Sequence, residues 1–272
     1  MKIEVMNLWE TLPGKSEETP TITAYIPENR KGDGAVVVFA GGGYAMRAWY
    51  EGKSYAEFLA ESGICAFDVA YRVKPCEFPI ELLDARRGVK FVRHFADKYG
   101  IDKKKITVMG SSAGGHLAAL CSTYKKEIDF DVVQDEIEKE EFLPNAQILC
   151  YPVIQLTAPF GHVGSGENLL GGQYSEEMLA ELCPQMLADK DVPPAFMWHT
   201  FKDQMVNVIN SLDYAKRIRE LGGSAEVHIF PDGHHGMGLS QKTEDDQEHL
   251  RGHVRQWSGL LLNWLTYIGY IK

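Results

Sequence analysis

The chain is short of positive charge: 28 lysines and arginines stand against 38 aspartates and glutamates, a formal net charge of −10. Holding a phosphate backbone or an anionic lipid surface takes clustered Lys and Arg, so neither nucleic acid nor a membrane is an expected partner. Long apolar runs are missing as well. No stretch approaches the roughly 18 uninterrupted apolar residues that a membrane span needs. The opening Met1-Lys-Ile-Glu-Val-Met-Asn-Leu-Trp-Glu10 has no apolar core of signal-peptide length. A soluble, cytoplasmic protein is expected. Cysteine is sparse and odd in number: Cys65, Cys76, Cys121, Cys150 and Cys183 show no Cys-x-x-Cys spacing, and four of the five sit in apolar or helix-like surroundings. That pattern predicts buried thiols in a reducing compartment, not a disulfide framework or a zinc site. Internal repeats and low-complexity tracts are also missing.

What the chain does have is apolar material in short runs. Hydrophobic residues make up 44% of its 272 positions, enough for a substantial core, and residues 1–272 are expected to form a single domain. Ile3/Val5 and Thr21–Ile26 alternate apolar with polar on either side of Pro13-Gly14, the pattern of antiparallel edge strands. Ala35–Ala40, Ile64–Tyr71, the run from Ile106, Ala146–Pro152 and Pro194–Thr200 read as core strands, and Ala225–Phe230 as a final one. Helical spacing predicts helices over Ser54–Ser62, over 79–99, after Gly115, over Asn207–Leu221, and at the C-terminus through Trp257, Leu260, Leu261, Trp264 and Ile268. Lys125–Glu141 reads as a charged, solvated excursion whose Phe130, Val132 and Val133 could dock on the surface. Residues 155–192, rich in Gly and Pro with one helical patch at Ser175–Leu187, suit a small cap or substrate-binding loops. Strand and helix alternate from residue 35 onward, which calls for an α/β fold: a mostly parallel central sheet with helices on both faces. Sites in such sheets lie beyond the carboxyl ends of the strands.

The most informative stretch is Ile106-Thr-Val-Met-Gly110-Ser-Ser112-Ala-Gly114-Gly-His116, which passes from an apolar strand through Gly-x-Ser-x-Gly into a helix. A serine on so sharp a turn holds its hydroxyl above the sheet edge, and the flanking glycines remove the Cβ atoms that would clash there. Ser112 is the candidate nucleophile. An alcohol attacks an acyl carbon only when a base takes its proton, and an imidazole base needs a carboxylate to fix its tautomer. Asp203, in Thr200-Phe-Lys-Asp203-Gln, and His235, in Pro231-Asp-Gly-His-His235-Gly236, each follow a core strand and fill those roles. Asp191 precedes its strand, and Asp232 lies too near His235 in sequence to face it. His235 is preferred to His234 because Gly236 leaves its ring room to turn. Gly41-Gly42-Gly43, after a buried strand, can point N–H groups into a cavity, so Gly42 and Gly43 join Ala113 as candidate oxyanion donors. Tyr44 and Trp49, with Tyr50 and Phe160, are candidate aromatic surface for a sugar ring. His249 and His253, beside Asp245, Asp246 and Glu248, read as a solvated helix face, with no third ligand that would make a metal site.

With these residues in view, the chain resembles the α/β-hydrolase superfamily, specifically its acetyl esterase/lipase and acetylxylan-esterase-like branch. The resemblance runs from about Ala35 to Leu239 and rests on Phe39-Ala-Gly-Gly-Gly-Tyr44, Val69-Ala-Tyr-Arg-Val73, Gly110–Leu117, Asn168-Leu-Leu-Gly171, Pro193–Thr200 and Gly233–Leu239. It implies an α/β-hydrolase fold and hydrolysis of short acyl esters, often acetyl groups on sugars or xylan fragments, through an acyl-enzyme on Ser112 and without a cofactor. Two departures stand out. Ala40 occupies the place of the histidine that precedes the glycine triplet in hormone-sensitive-lipase-like relatives, which moves the match toward carbohydrate esterases. The loop that usually reads Asp-Asp or Asp-Glu is Lys202-Asp203-Gln204, leaving one carboxylate there. The expected partner is a small-molecule ester, acetylated sugars included, and the oligomeric state stays open, a homo-oligomer among the options. Two rival readings compete. A prolyl-oligopeptidase-type peptidase shares the order Ser, Asp, His but generally brings a propeller or gating domain, for which the segment before residue 35 has no room. A non-catalytic, hydrolase-fold binding protein is at odds with an intact Ser112, Asp203 and His235.

Overall fold

Along Ala35–Phe39 (β3) every residue is buried, Val36 and Val38 turned to one face and Ala35, Val37 and Phe39 to the other. A strand apolar on both faces needs cover on both. The computed structural model, which describes residues 1–241 and 248–272, provides that cover. In chain order its elements are β1 (Lys2–Asn7), β2 (Thr21–Ile26), β3, α1 (Trp49–Glu61), β4 (Cys65–Ala70), α2 (Ile80–His94), α3 (Ala96–Tyr99), β5 (Ile106–Ser111) and α4 (Ser112–Thr123). There follow β6 (Ala146–Cys150), α5 (Val163–Leu170), α6 (Glu176–Ala180), α7 (Pro184–Leu187), β7 (Ala195–Thr200), α8 (Ile209–Glu220), β8 (Ala225–Phe230), α9 (Glu248–Val254) and α10 (Gln256–Tyr267).

The described strands form one eight-stranded sheet in the order β1-β2-β4-β3-β5-β6-β7-β8. β1 and β2 are antiparallel, and the six strands from β4 to β8 run parallel, as an α/β-hydrolase fold requires. Each face carries its own core. α2, α4 and α8 bury Leu82, Leu117 and Ile218 against Val37, Val108 and Met197 on one side. α1 and α10 bury Leu59 and Leu261 against Val36, Met109 and Trp198 on the other, where Trp198 and Trp257 stack with ring centroids 5.1 Å apart. The chain leaves β3 to one side for β4 and then lays β5 along β3's other edge, so the loops after β3 and β5 part at the sheet's carboxyl rim. A crevice forms where they part.

Several boundaries differ from the sequence reading. α1 begins at Trp49, not Ser54, and its N-cap Ala48 offers no side-chain hydrogen bond to mark the start. The run 79–99 is two helices, broken at Phe95, whose φ of −91° and ψ of 16° lie outside the helical region. Residues 155–192 hold α5, α6 and α7 in place of a single helical patch. The Lys125–Glu141 excursion is docked, with Phe130 and Val132 packed against the core and Asp135 bonded to Arg87, while Val133 stays exposed. Cys65, Cys121, Cys150 and Cys183 are buried and Cys76 is half-buried, all as free thiols. No helix among the described residues is long and apolar enough to cross a membrane, and no group of three His, Cys, Asp or Glu among them could hold a metal ion. Asp245 and Asp246 lie outside the described residues.

Candidate active site

β5 ends in the elbow. A Cβ on Gly110 would stand 2.0 Å from the Gly114 carbonyl oxygen, and one on Gly114 would stand 2.2 Å from that of Phe39, so glycine alone lets α4 start this close to β5 and β3. Between them Ser112 takes φ of +53°, the left-handed region that costs an ordinary residue about 1–2 kcal/mol. Its carbonyl accepts the Val153 N–H at 3.0 Å, which helps hold the turn.

The Ser112 hydroxyl points at His235: Oγ lies 2.7 Å from Nε2, and Nδ1 lies 2.7 Å from Asp203 Oδ2. Ser112 opens α4 directly after β5, and Asp203 and His235 come from the loops after β7 and β8. Thr200 Oγ1 donates to the Gly233 carbonyl at 3.0 Å, which locks the aspartate and histidine loops together. The Asp203 carboxyl is wholly buried, and its Oδ1 accepts the N–H groups of Met205 and Val206 at 2.9 and 3.0 Å. Burial opposes its ionisation, but hydrogen bonding from His199, His235 and the Val206 backbone outweighs that and holds the group well below the usual carboxylate range. His199 Nε2 stands 3.4 Å from Oδ2 while donating to the Val206 carbonyl at 3.0 Å, and Ser211 Oγ meets its Nδ1 at 2.9 Å. His234 is turned away, its Nδ1 on the His235 carbonyl oxygen. Asp232 pairs with Lys202 at the surface, and Asp191 lies 3.8 Å from Lys125.

Gly42 and Gly43 take φ of +132° and +65°, and a Cβ on Gly42 would meet the Met46 carbonyl oxygen at 2.1 Å. The loop is pinned: Asn168 Nδ2 donates to the Gly43 carbonyl at 2.9 Å, and the Lys74 N–H donates to that of Tyr44 at 2.9 Å. It runs beside the elbow, since a Cβ on Gly41 would lie 3.1 Å from that of Ser112. Ala113 is the second residue of α4, where N–H groups have no intrahelical partner and the helix dipole is positive.

Tyr44 corrects the sequence reading, because it presents no surface to a ligand. It is fully buried, edge-on to Tyr71 and His116, and its hydroxyl donates to His116 Nδ1 at 2.7 Å. Burial lowers the His116 pKa to about 4, leaving a neutral ring whose Nε2 donates to the Leu182 carbonyl. Trp49, by contrast, is 69% exposed, and Tyr50 and Phe160 are partly so. Sequence reasoning missed His199 and the role of Asn168. His199 left a signal, a histidine at the end of a core strand four residues before Asp203, and Asn168 opens the Asn168-Leu-Leu-Gly171 motif.

The family model described as BD-FAE matches residues 22–218. Endo-1,4-β-xylanase B of Butyrivibrio fibrisolvens is 32% identical over 93% of this chain, and an acetylxylan esterase of Xylanibacter ruminicola is 31% identical over 80% of it. The chain spans only 39% and 44% of the lengths of these two proteins. Among solved structures, an acetyl ester-xyloside bifunctional hydrolase from Caldicellulosiruptor lactoaceticus is 37% identical with a TM-score of 0.89, covering 99% of this chain and 97% of that one. The carboxylesterase Cest-2923 from Lactobacillus plantarum shares the fold, with a TM-score of 0.80 at 23% identity over 100% and 99% of the two chains. With most of its sheet inside the matched segment and a near full-length structural relative, the chain belongs to the BD-FAE family of α/β-hydrolases.

Proposed function

We propose that the chain is a serine carboxylesterase that hydrolyses short-chain acyl esters, acetyl foremost, borne by carbohydrates. The observation that carries this reading is the relay from Ser112 Oγ through His235 to Asp203, 2.7 Å at each step. In it, Oγ bonds to the acyl carbon as Nε2 takes the hydroxyl proton, and the carbonyl electron pair moves onto oxygen. Ala113, Gly42 and Gly43 N–H groups receive that oxyanion. The tetrahedral species collapses by breaking the bond to the leaving alcohol, which takes the proton back from the imidazolium. Water, deprotonated by the same Nε2, then releases the acid and restores Ser112. Asp203 holds the Nδ1–H, so Nε2 faces the serine as an acceptor and the imidazolium is stabilised. Losing one oxyanion donor typically raises the barrier by about 3 kcal/mol, so the pinned glycine loop counts for nearly as much as the relay. No step calls for a cofactor.

An acetylated carbohydrate is supported by the names of the acetylxylan esterase and the acetyl ester-xyloside hydrolase that this chain resembles. Trp49 supports it too, lining with Tyr50 a cavity of about 260 Å³ that reaches Gly236, next to His235. An exposed indole is the usual face for a sugar ring.

The test is a panel of p-nitrophenyl esters from C2 to C12 and acetylated xylo-oligosaccharides, run on wild type, Ser112→Ala and Trp49→Ala. Turnover should fall steeply beyond short acyl chains, and Ser112→Ala should lose at least about a thousandfold in kcat. Trp49→Ala should raise KM for the oligosaccharides several-fold and leave p-nitrophenyl acetate unchanged. Equal rates on C2 and C12 would refute the short-chain reading. Wild-type turnover by Ser112→Ala would refute the relay.

A further inference from the structure

Behind the glycine loop lies a buried carboxylate that the mechanism leaves unused. Glu51, in the first turn of α1, is 2% exposed. Its Oε2 accepts the Gly41 N–H at 3.1 Å, and its Oε1 accepts the Tyr151 hydroxyl at 2.6 Å. The Tyr151 oxygen in turn accepts the Gly238 N–H at 2.9 Å, and its ring stands edge-on to His235 with centroids 5.1 Å apart. Tyr55 extends the set, its hydroxyl 3.3 Å from that of Tyr151 and 2.9 Å from Ser111 Oγ. A Cβ on Gly41 would stand 2.2 Å from Glu51 Oε2 and 3.1 Å from Ser112 Cβ, so the carboxylate occupies the layer directly behind the nucleophile.

We infer that Glu51, acting through Tyr151, is a positioning residue for ester cleavage: one buried carboxylate ties the oxyanion loop at Gly41 to the histidine loop at Gly238. This inference rests on the esterase reading above. The direction of the donors argues for a carboxylate in that place. Gly41 donates to one oxygen, and Gly238 donates to a hydroxyl that itself donates to the other, so every hydrogen points toward Glu51. An amide would set N–H against one of these donors.

Stability does not account for the charge. Burial, the largest effect, raises the Glu51 pKa against the Tyr151 and Gly41 hydrogen bonds and the attraction of His235. A carboxyl raised on folding contributes stability below its unfolded pKa and loses it as pH rises through the folded one, so ionised Glu51 weakens the fold at neutral pH. Its negative charge favours the imidazolium that forms on His235. The ionisable groups around Glu51 are His235, Tyr50, Tyr55, Tyr71, Tyr151 and Cys150, and those around His235 are Asp203, backed by His199, Glu51 and His162.

The experiment measures p-nitrophenyl acetate kinetics and Tm for wild type, Glu51→Gln, Tyr151→Phe, the double variant and Ser112→Ala. Glu51→Gln should lower kcat at least about tenfold with KM within about twofold, and Tyr151→Phe should lower it about three- to tenfold. The double variant should match Glu51→Gln within about twofold, because both substitutions cut one linkage. Glu51→Gln should keep or raise Tm at pH 7 while kcat falls. A wild-type kcat in Glu51→Gln, multiplicative losses in the double variant, or a kcat that falls only in step with Tm would each overturn the inference. Undiminished turnover by Ser112→Ala would instead sink the reading beneath it.

Discussion

Glu81 shows what a single residue costs this fold. It is fully buried near the start of α2, and neither carboxylate oxygen finds a partner in another of the described residues. Burial lifts its pKa to about 8, aided by Asp84 and Glu77 and opposed by its own backbone N–H and by Arg72. Because the folded value lies above the unfolded one, the folded state keeps a proton that the unfolded state has already lost between pH 4.5 and about 8. Stability should therefore drain away over that window, with a slope approaching about 1.4 kcal/mol per pH unit from this group, and level off above it. Urea unfolding of wild type and Glu81→Gln from pH 5 to 9 measures the difference; parallel stability curves would contradict it. Glu81 was invisible in the sequence because a glutamate in a first helical turn ordinarily faces water. Ser112, Asp203 and His235 were legible for the opposite reason: each sits in a turn after a core strand, where local chemistry is constrained. An aromatic after a glycine triplet looks like a ligand platform, but the fold spends the Tyr44 hydroxyl on His116, 72 positions away.

At the scale of elements, the glycine loop is the one held from most sides. Glu51 of α1 takes Gly41, Asn168 of α5 takes Gly43, the Lys74 backbone takes Tyr44, and Tyr71 after β4 donates to the Ala40 carbonyl at 2.6 Å. Together these ties fix where Gly42 and Gly43 point. Asn168→Ala removes the hydrogen bond to the Gly43 carbonyl, about 1 kcal/mol, together with an exposed contact from Lys74 Nζ, so kcat on p-nitrophenyl acetate should fall roughly fivefold with a small change in Tm. An unchanged kcat would mean that the Gly43 carbonyl is held adequately without it. The succession of strands and helices along the chain is readable, since short apolar runs alternate with helical spacing, but their order in the sheet is not. The ties between elements were not. Glu51 and Tyr151 are 100 positions apart, and with no capping side chain at Ala48 nothing in the sequence marks Glu51 as helical.

At the scale of the whole molecule, the sheet joins β1 to β8 without a break, so residues 2–230 share one set of neighbours. The two cores are its two faces. The C-terminus returns to the middle of this sheet: Gly34, just before β3, donates its N–H to the Tyr270 carbonyl at 3.2 Å, and Lys272 donates to that of Lys31 at 2.8 Å. A Cβ on Gly32 would stand 2.2 Å from the same Tyr270 oxygen, so this junction is close-packed. α10 also holds the histidine loop, with Trp257 Nε1 donating to the Gly238 carbonyl at 3.0 Å. No group of elements can then melt alone without stripping one core from the sheet. We propose that residues 1–272 unfold as a single domain, in one calorimetric transition whose van't Hoff and calorimetric enthalpies agree. Deleting residues 269–272 removes Tyr270 and Ile271, which are 7% and 8% exposed in place, and uncovers the apolar surface they pack on. That loss should cost about 3 kcal/mol and shift Tm down by roughly 6–12 °C for a chain this size, moving the whole transition without splitting it. Two separated transitions, in either protein, would mean that the faces of the sheet unfold independently.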